Sequence, residues 1–189
     1  MLAGDVSRFA IETAIKEAYD APSLKALGSF VVHVAGKSYG AQTSDATLLA
    51  VPFDSIRRRI ARRGQHCAPF SQFSDTSALA KALVLAVYGD ARPDSTPPGL
   101  RGSEIAKILD DNFIDWAPDG DEAFDDGSHI YQFDVGDSVR IVACKHHSNG
   151  TVRCLSEILL PSDEFYGVLD KWQMQFDLEW RAARRGEGP

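Results

Sequence analysis

The chain has 189 residues, 44% of them hydrophobic and 25% charged, with a formal net charge of −7. This suits one globular domain spanning 1–189 that buries roughly 70% of its unfolded surface without a metal or disulfide staple, and no apolar run approaches the ~20 residues of a membrane span. No basic region followed by an apolar stretch opens the sequence, so no secretory signal is expected, the protein should stay in the cytoplasm, and Cys67, Cys144 and Cys154 should be reduced.

Gly4 and Asp5 suit a turn, because glycine adopts backbone conformations closed to other residues and Asp can bond the backbone that follows. Arg8 to Glu17 then predicts a strand, with Phe9, Ile11 and Ile15 on one face and Arg8 and Glu12 on the other. Asp20 to Ser23, with Pro22 inside, breaks it. The β-branched run in Leu27 to Ala35 predicts a central strand, followed by a tight turn at Ala35 to Lys37 and a short return at Ser38 to Gly40. Phe53 to Arg63 predicts a helix after Pro52, with Ile56 and Ile60 toward the core and Gly64 as its stop.

Asp75 or Thr76 is expected to cap a helix running to about Tyr88, with Leu79, Ala80, Leu83, Val84 and Val87 as its apolar stripe. A Pro- and Gly-rich exposed loop covers about 92–102, and Ser103 is expected to cap a short helix to Leu109 without a capping box. An antiparallel meander follows: His129 to Val135, Val139 to His146 and Val152 to Leu159, with turns at Gly136-Asp137 and Asn149-Gly150. A two-residue turn at Asn149-Gly150 sets Cys144 against Leu155, and a three-residue loop sets it against Cys154; both cysteines are read as small core residues. Pro161 opens a long helix whose stripe is Phe165, Leu169, Trp172, Phe176 and Trp180, with arginines at its C-terminal end. The fold class is α+β: an antiparallel sheet of about five strands, helices mainly on one face, and the last helix lying across the sheet through Trp172 and Phe176.

The charge is unevenly spread. Ile108 to Val139 holds ten acids and no lysine or arginine, which leaves the rest of the chain a net +3. Such a field repels nucleic acid and attracts a basic partner. A solvated loop and a partner-binding surface are the main readings of this stretch. Asp119, Asp121 and Asp125 offer oxygen ligands, but the twelve-residue calcium loop with its terminal Glu is missing. Arg57, Arg58, Arg59, Arg62 and Arg63 form a basic cluster of the kind that contacts phosphates, but they read better as a solvated helix face or as an answer to the acidic stretch. Among the five histidines none has zinc-site spacing, and adjacent His146 and His147 point to opposite faces of a strand. No nucleophile elbow, phosphate-binding loop or dinucleotide fingerprint is present, so neither metal, cofactor nor catalytic residue is assigned.

Gly4-Asp5 with Phe9-Ala10-Ile11, Gly28-Ser29-Phe30 with Gly36, Glu122 to Gly127, Arg140-Ile141-Val142 and Leu160-Pro161 occur in an order that resembles immunity family forty-two of bacterial polymorphic toxin systems. The resemblance implies a non-enzymatic protein that binds a cognate toxin and blocks it by stoichiometric occlusion. On that reading Asp119, Asp121, Glu122, Asp125 and Asp126 face a basic rim around the toxin's active site, with no nucleic acid, membrane or cofactor involved. A small detoxifying or modifying enzyme and an effector chaperone or adaptor are the alternatives.

Overall fold

Phe9, Ile11 and Thr13 alternate with outward-facing Glu12 along a strand, the period-2 pattern of a sheet with one buried face. In the computed structural model, which describes residues 1–88, 99–116, 122–146 and 151–185, this strand is β2, Phe9–Ala18. It is preceded by β1, Leu2–Asp5, a short strand that periodicity does not reveal. Gly4 allows the pairing: its φ is +100, and a Cβ there would lie 2.3 Å from the Phe9 carbonyl oxygen. Asp5 makes the expected turn, its Oδ1 accepting from the Ser7 amide at 2.8 Å. β3 (Ala26–Val34) pairs antiparallel with β2 and turns through Ala35 and Gly36, both with positive φ, into β4 (Lys37–Tyr39). β5 (Thr47–Leu48) pairs with the opposite end of β3, completing a five-stranded sheet.

α1 spans Ala50–Ala61, starting three residues before the expected Phe53. α2, Thr76–Val87, carries the expected Asp75 cap, whose Oδ1 accepts from the Ala78 amide at 2.9 Å. α3, Gly102–Asp111, is not capped by Ser103. Contrary to the expectation of no capping box, the Glu104 carboxylate accepts from the Arg101 amide at 2.8 Å, the return bond of such a box, so Arg101 is the N-cap and the helix begins at Gly102. β6 (Ser128–Val135), β7 (Ser138–His146) and β8 (Val152–Pro161) form a separate three-stranded antiparallel sheet. α4, Ser162–Arg184, follows directly.

The α+β class, antiparallel pairing and long last helix are as expected, while the strands divide between two sheets. Tyr39 makes the division possible. Its hydroxyl donates to the Cys154 carbonyl and lies 2.7 Å from Ser156 Oγ on β8, and the Gly40 amide donates to Ser128 Oγ at 3.0 Å, so the short β4 crosses from one sheet to the other. Both faces of the three-stranded sheet are covered. Ile130, Val139, Ile141 and Ala143 join the five-stranded sheet, α1 and α4 in one apolar cluster, and Tyr131, Phe133, Val142 and Cys144 join α2 and α3 in a second. The helices therefore cover both faces of this sheet. Cys154 is exposed, not a core residue: a bulge sets Cys154 and Leu155 against Cys144, and Cys154 takes a φ of +52. The Asn149-Gly150 turn, most of the 92–102 loop and residues 186–189 lie outside the described residues.

α4 is fixed by its aromatic stripe. Trp172 Nε1 donates to Thr13 Oγ1 at 2.8 Å, its ring stacks on Phe176 with centroids 5.2 Å apart, and Trp180 Nε1 donates to the Tyr19 carbonyl at 3.1 Å. The helix thus crosses β2 through the residues its periodicity marks.

Candidate functional site

The acidic stretch begins at the end of α3. Phe113 amide donates to Asp110 O at 3.0 Å and Ile114 amide to Leu109 O at 2.9 Å, a Schellman ending in which the left-handed position is filled by phenylalanine, with φ +51, instead of glycine. Ile114 to Trp116 then runs along the outer edge of β6. The Trp116 amide donates to Ile130 O at 2.9 Å and the Gln132 amide to Ile114 O at 3.0 Å, so the edge strand is covered where its backbone is otherwise open to another chain.

Arg59 holds this segment from beneath. Its Nη1 donates to Phe113 O at 2.9 Å and Gln132 Oε1 at 3.2 Å, and Nη2 donates to Asp115 O at 2.5 Å; the guanidinium also lies 4.4 Å from the Phe113 ring centroid and 4.6 Å from that of Trp116. It is fully buried, and burial pushes it down to about 9, still cationic at neutral pH. Around it a polar network closes. Trp116 Nε1 donates to Gln132 Oε1 at 3.2 Å, Gln132 Nε2 to Tyr166 Oη at 2.9 Å, and Tyr166 Oη to Asp134 Oδ1 at 2.9 Å, while the His66 amide donates to Asp134 Oδ2 at 3.1 Å. Burial and the neighbouring Arg59 charge lower His66, and burial together with Asp134 raises Tyr166, so both rest neutral. Arg62 Nη2 donates to Asp111 O at 2.7 Å. Arg59 and Arg62 therefore answer the acidic stretch through backbone carbonyls, whereas Arg57 and Arg63 pair with Asp54 and Asp163 outside it, and Arg59 is a core residue instead of part of a solvated face. The signal is present in the sequence: position 59 stands three residues after core-facing Ile56, on the same side of the helix. Phe113 has no such signal, because Asn112 before it is the residue that left-handed backbone favours.

Glu122, Asp125 and Asp126 are brought together on a 3-10 turn, Glu122–Phe124, and the bend after it. Ala123 and Phe124 are buried beneath, with Phe124 edge-on to Phe30 at 6.1 Å between centroids, so the turn is anchored while Glu122 and Asp125 stay exposed. Asp126 is half-buried: Oδ2 pairs with Lys145 Nζ at 2.5 Å and Oδ1 accepts from the Ser128 amide at 3.1 Å. Gly127 closes the bend with φ +77, where a Cβ would lie 2.4 Å from His146 O. Asp119 and Asp121 lie outside the described residues. The other acids of the stretch are dispersed. Asp134 is in the core, Asp111 pairs with Lys107 at 2.7 Å, and Asp137 is at the far end of β6.

Beside the turn, His129 packs with Tyr88, Tyr131 and His146. Burial, then the His146 charge, lowers it to about 4, and neither of its ring nitrogens has a hydrogen-bond partner. Among the described residues no three His, Cys, Asp or Glu side chains are placed to hold a metal ion, and no helix is long and apolar enough to cross a membrane.

The crystal structure of CdiI from Burkholderia dolosa AUO158 is similar over 93% of this chain and 99% of that one, with a TM-score of 0.58 and 17% identity, a likeness of fold. No curated protein matches the chain. The family described as Immunity protein 42 matches residues 1–175, and the chain belongs to that family.

Proposed function

We propose that this immunity protein neutralises its cognate toxin as a stoichiometric binding partner, working in the cytoplasm as one folded unit and performing no turnover of its own. Family membership supports a toxin as the partner. The observation that carries the mode of action is the anchored turn: Ala123 and Phe124 fix the backbone and leave the Glu122 and Asp125 carboxylates in solvent beside Asp126. Together with Asp119 and Asp121, which precede them in the sequence, these acids meet a basic rim around the toxin's active site. Oriented negative charge of this kind steers a basic partner and speeds encounter, and desolvated anchors then supply affinity.

The test replaces Asp121, Glu122 and Asp125 by lysine together. The association rate with the toxin should fall about tenfold or more at low salt, and its dependence on ionic strength should flatten, with the fold intact by circular dichroism. An association rate and salt slope equal to those of the unmodified protein reject this surface.

A further inference from the structure

The outer face of the five-stranded sheet carries a hydrogen-bonded row of three side chains, one from each of three neighbouring strands. His33 on β3 is paired with Ala10 on β2 and Ser38 on β4, and Glu12 lies two positions along from Ala10 on the same face. His33 Nε2 lies 2.9 Å from Glu12 Oε2, and His33 Nδ1 lies 3.1 Å from Ser38 Oγ. The chemistry of the partners orients the protons. A carboxylate only accepts, so Nε2 carries the hydrogen and donates it to Glu12. In the neutral imidazole this leaves Nδ1 as an acceptor, and the Ser38 hydroxyl is its donor. Ser38 therefore aims its proton at a base that a carboxylate holds in the required tautomer, the arrangement that makes a serine nucleophilic. The geometry points to Ser38 as a site of covalent acylation by an activated ester or thioester, with His33 as the base and Glu12 as its positioning residue.

In this step Ser38 Oγ bonds to the acyl carbon while its proton passes to His33 Nδ1. The bond from that carbon to the leaving oxygen or sulfur breaks, the leaving group departs with the electron pair, and His33 returns the proton to it. The surroundings set the class of donor. The amides that flank β4 are taken: Ala35 donates to Arg8 O at 2.8 Å, Gly36 to Val6 O at 3.1 Å, Gly40 to Ser128 Oγ at 3.0 Å and Ala41 to Ala123 O at 2.8 Å. They do not serve as oxyanion donors, so the acyl donor must bring a good leaving group of its own, unlike an amide or a simple alkyl ester. For the same reason the step ends at the Ser38 ester, a modification and not a cycle. The Lys37 ammonium is drawn away to Leu155 O at 2.8 Å, which leaves His33 as the base beside the hydroxyl. His33 and Ser38 are both half-buried, which limits water around the pair and leaves the hydroxyl within reach of a small reagent.

The experiment treats the full chain with p-nitrophenyl acetate at neutral pH and follows acetylation of each serine by peptide mass spectrometry. Ser7 is the internal control: its hydroxyl donates to Asp5 Oδ1 at 2.7 Å, a carboxylate with no histidine between. Ser38 should be acetylated about a hundredfold faster than Ser7 or more, the usual gain from a positioned base. His33→Gln should bring Ser38 to within about threefold of Ser7, and Glu12→Gln should slow it about tenfold, with acetylation of Ser7 and the melting temperature unchanged. A merely structural role of the Glu12 bond would move the melting temperature and not the ratio of the two serine rates. Equal rates at Ser38 and Ser7 in the unmodified protein overturn the proposal without any variant. A Ser38 rate in His33→Gln within about twofold of the unmodified protein overturns it as well, and the same result in Glu12→Gln removes Glu12 from its role. The assay contains no toxin, so each of these outcomes leaves the toxin-binding reading as it stands.

Discussion

Arg59 shows what one side chain does for this fold. Two carbonyls and an amide oxygen from three separate positions converge on it, and their backbone belongs to the cover of the β6 edge. Arg59→Met leaves those buried acceptors unpaired and should cost about 3 kcal/mol or more in urea denaturation. Arg59→Lys should not restore it, because a single ammonium cannot reproduce the planar fork. Gly127 is constrained by sterics in the same region: Gly127→Ala forces a Cβ against His146 O and should destabilise by roughly 2 kcal/mol or more, read from the same denaturation curves. His129 sets a pH dependence. Its pKa is lowered in the fold to about 4, so between the ordinary histidine value and 4 the unfolded chain binds more protons than the folded one. This contribution is complete above pH 6.5 and is lost as the pH falls toward 4, by about 3 kcal/mol in all. His129→Phe should flatten the acid limb of the stability curve over that range, and an unchanged limb would assign the acid sensitivity to other groups.

Among the elements, those with local patterns are legible in the sequence. The alternation of β2, the β-branched run of β3, the Asp75 cap of α2 and the stripe of α4 each depend on neighbours within a turn or two, and the structure has them within a few residues of the expected bounds. The departures have long-range causes. β1 and β5 are too short to show a period and exist through pairing with β2 and β3. The two-sheet division depends on Tyr39 reaching β8, a contact across more than a hundred positions. The start of α3 departs for a local reason instead: the Glu104 carboxylate accepts from the Arg101 amide three positions back, so the helix begins ahead of Ser103. α4 also allows an energetic test. Trp172 is fully buried against Phe30, Phe53 and Phe176 and bonded to Thr13, so Trp172→Ala should cost about 3–5 kcal/mol. A loss below 1 kcal/mol would mean that α4 does not close the core.

For the whole molecule, the sequence marks a region of charge and the structure sorts it. Ten acids in one run look like a single field, yet Asp134 is in the core, Asp111 and Asp126 have lysine partners, and Glu122 and Asp125 remain exposed on an anchored turn. Composition reports how much charge a segment carries, and only the packing of Ala123, Phe124 and Arg59 decides which part of it faces outward. The five-stranded sheet and the inner face of the three-stranded sheet share one apolar cluster, which gives this face a stiff support of the kind a preorganised binding surface needs. The protein is proposed to act by covering its toxin. Residual toxin activity measured against rising immunity protein, at concentrations far above the dissociation constant, tests this most directly. A straight decline that reaches zero at one copy per toxin is predicted; complete protection at a small fraction of that ratio would contradict it and identify a catalyst.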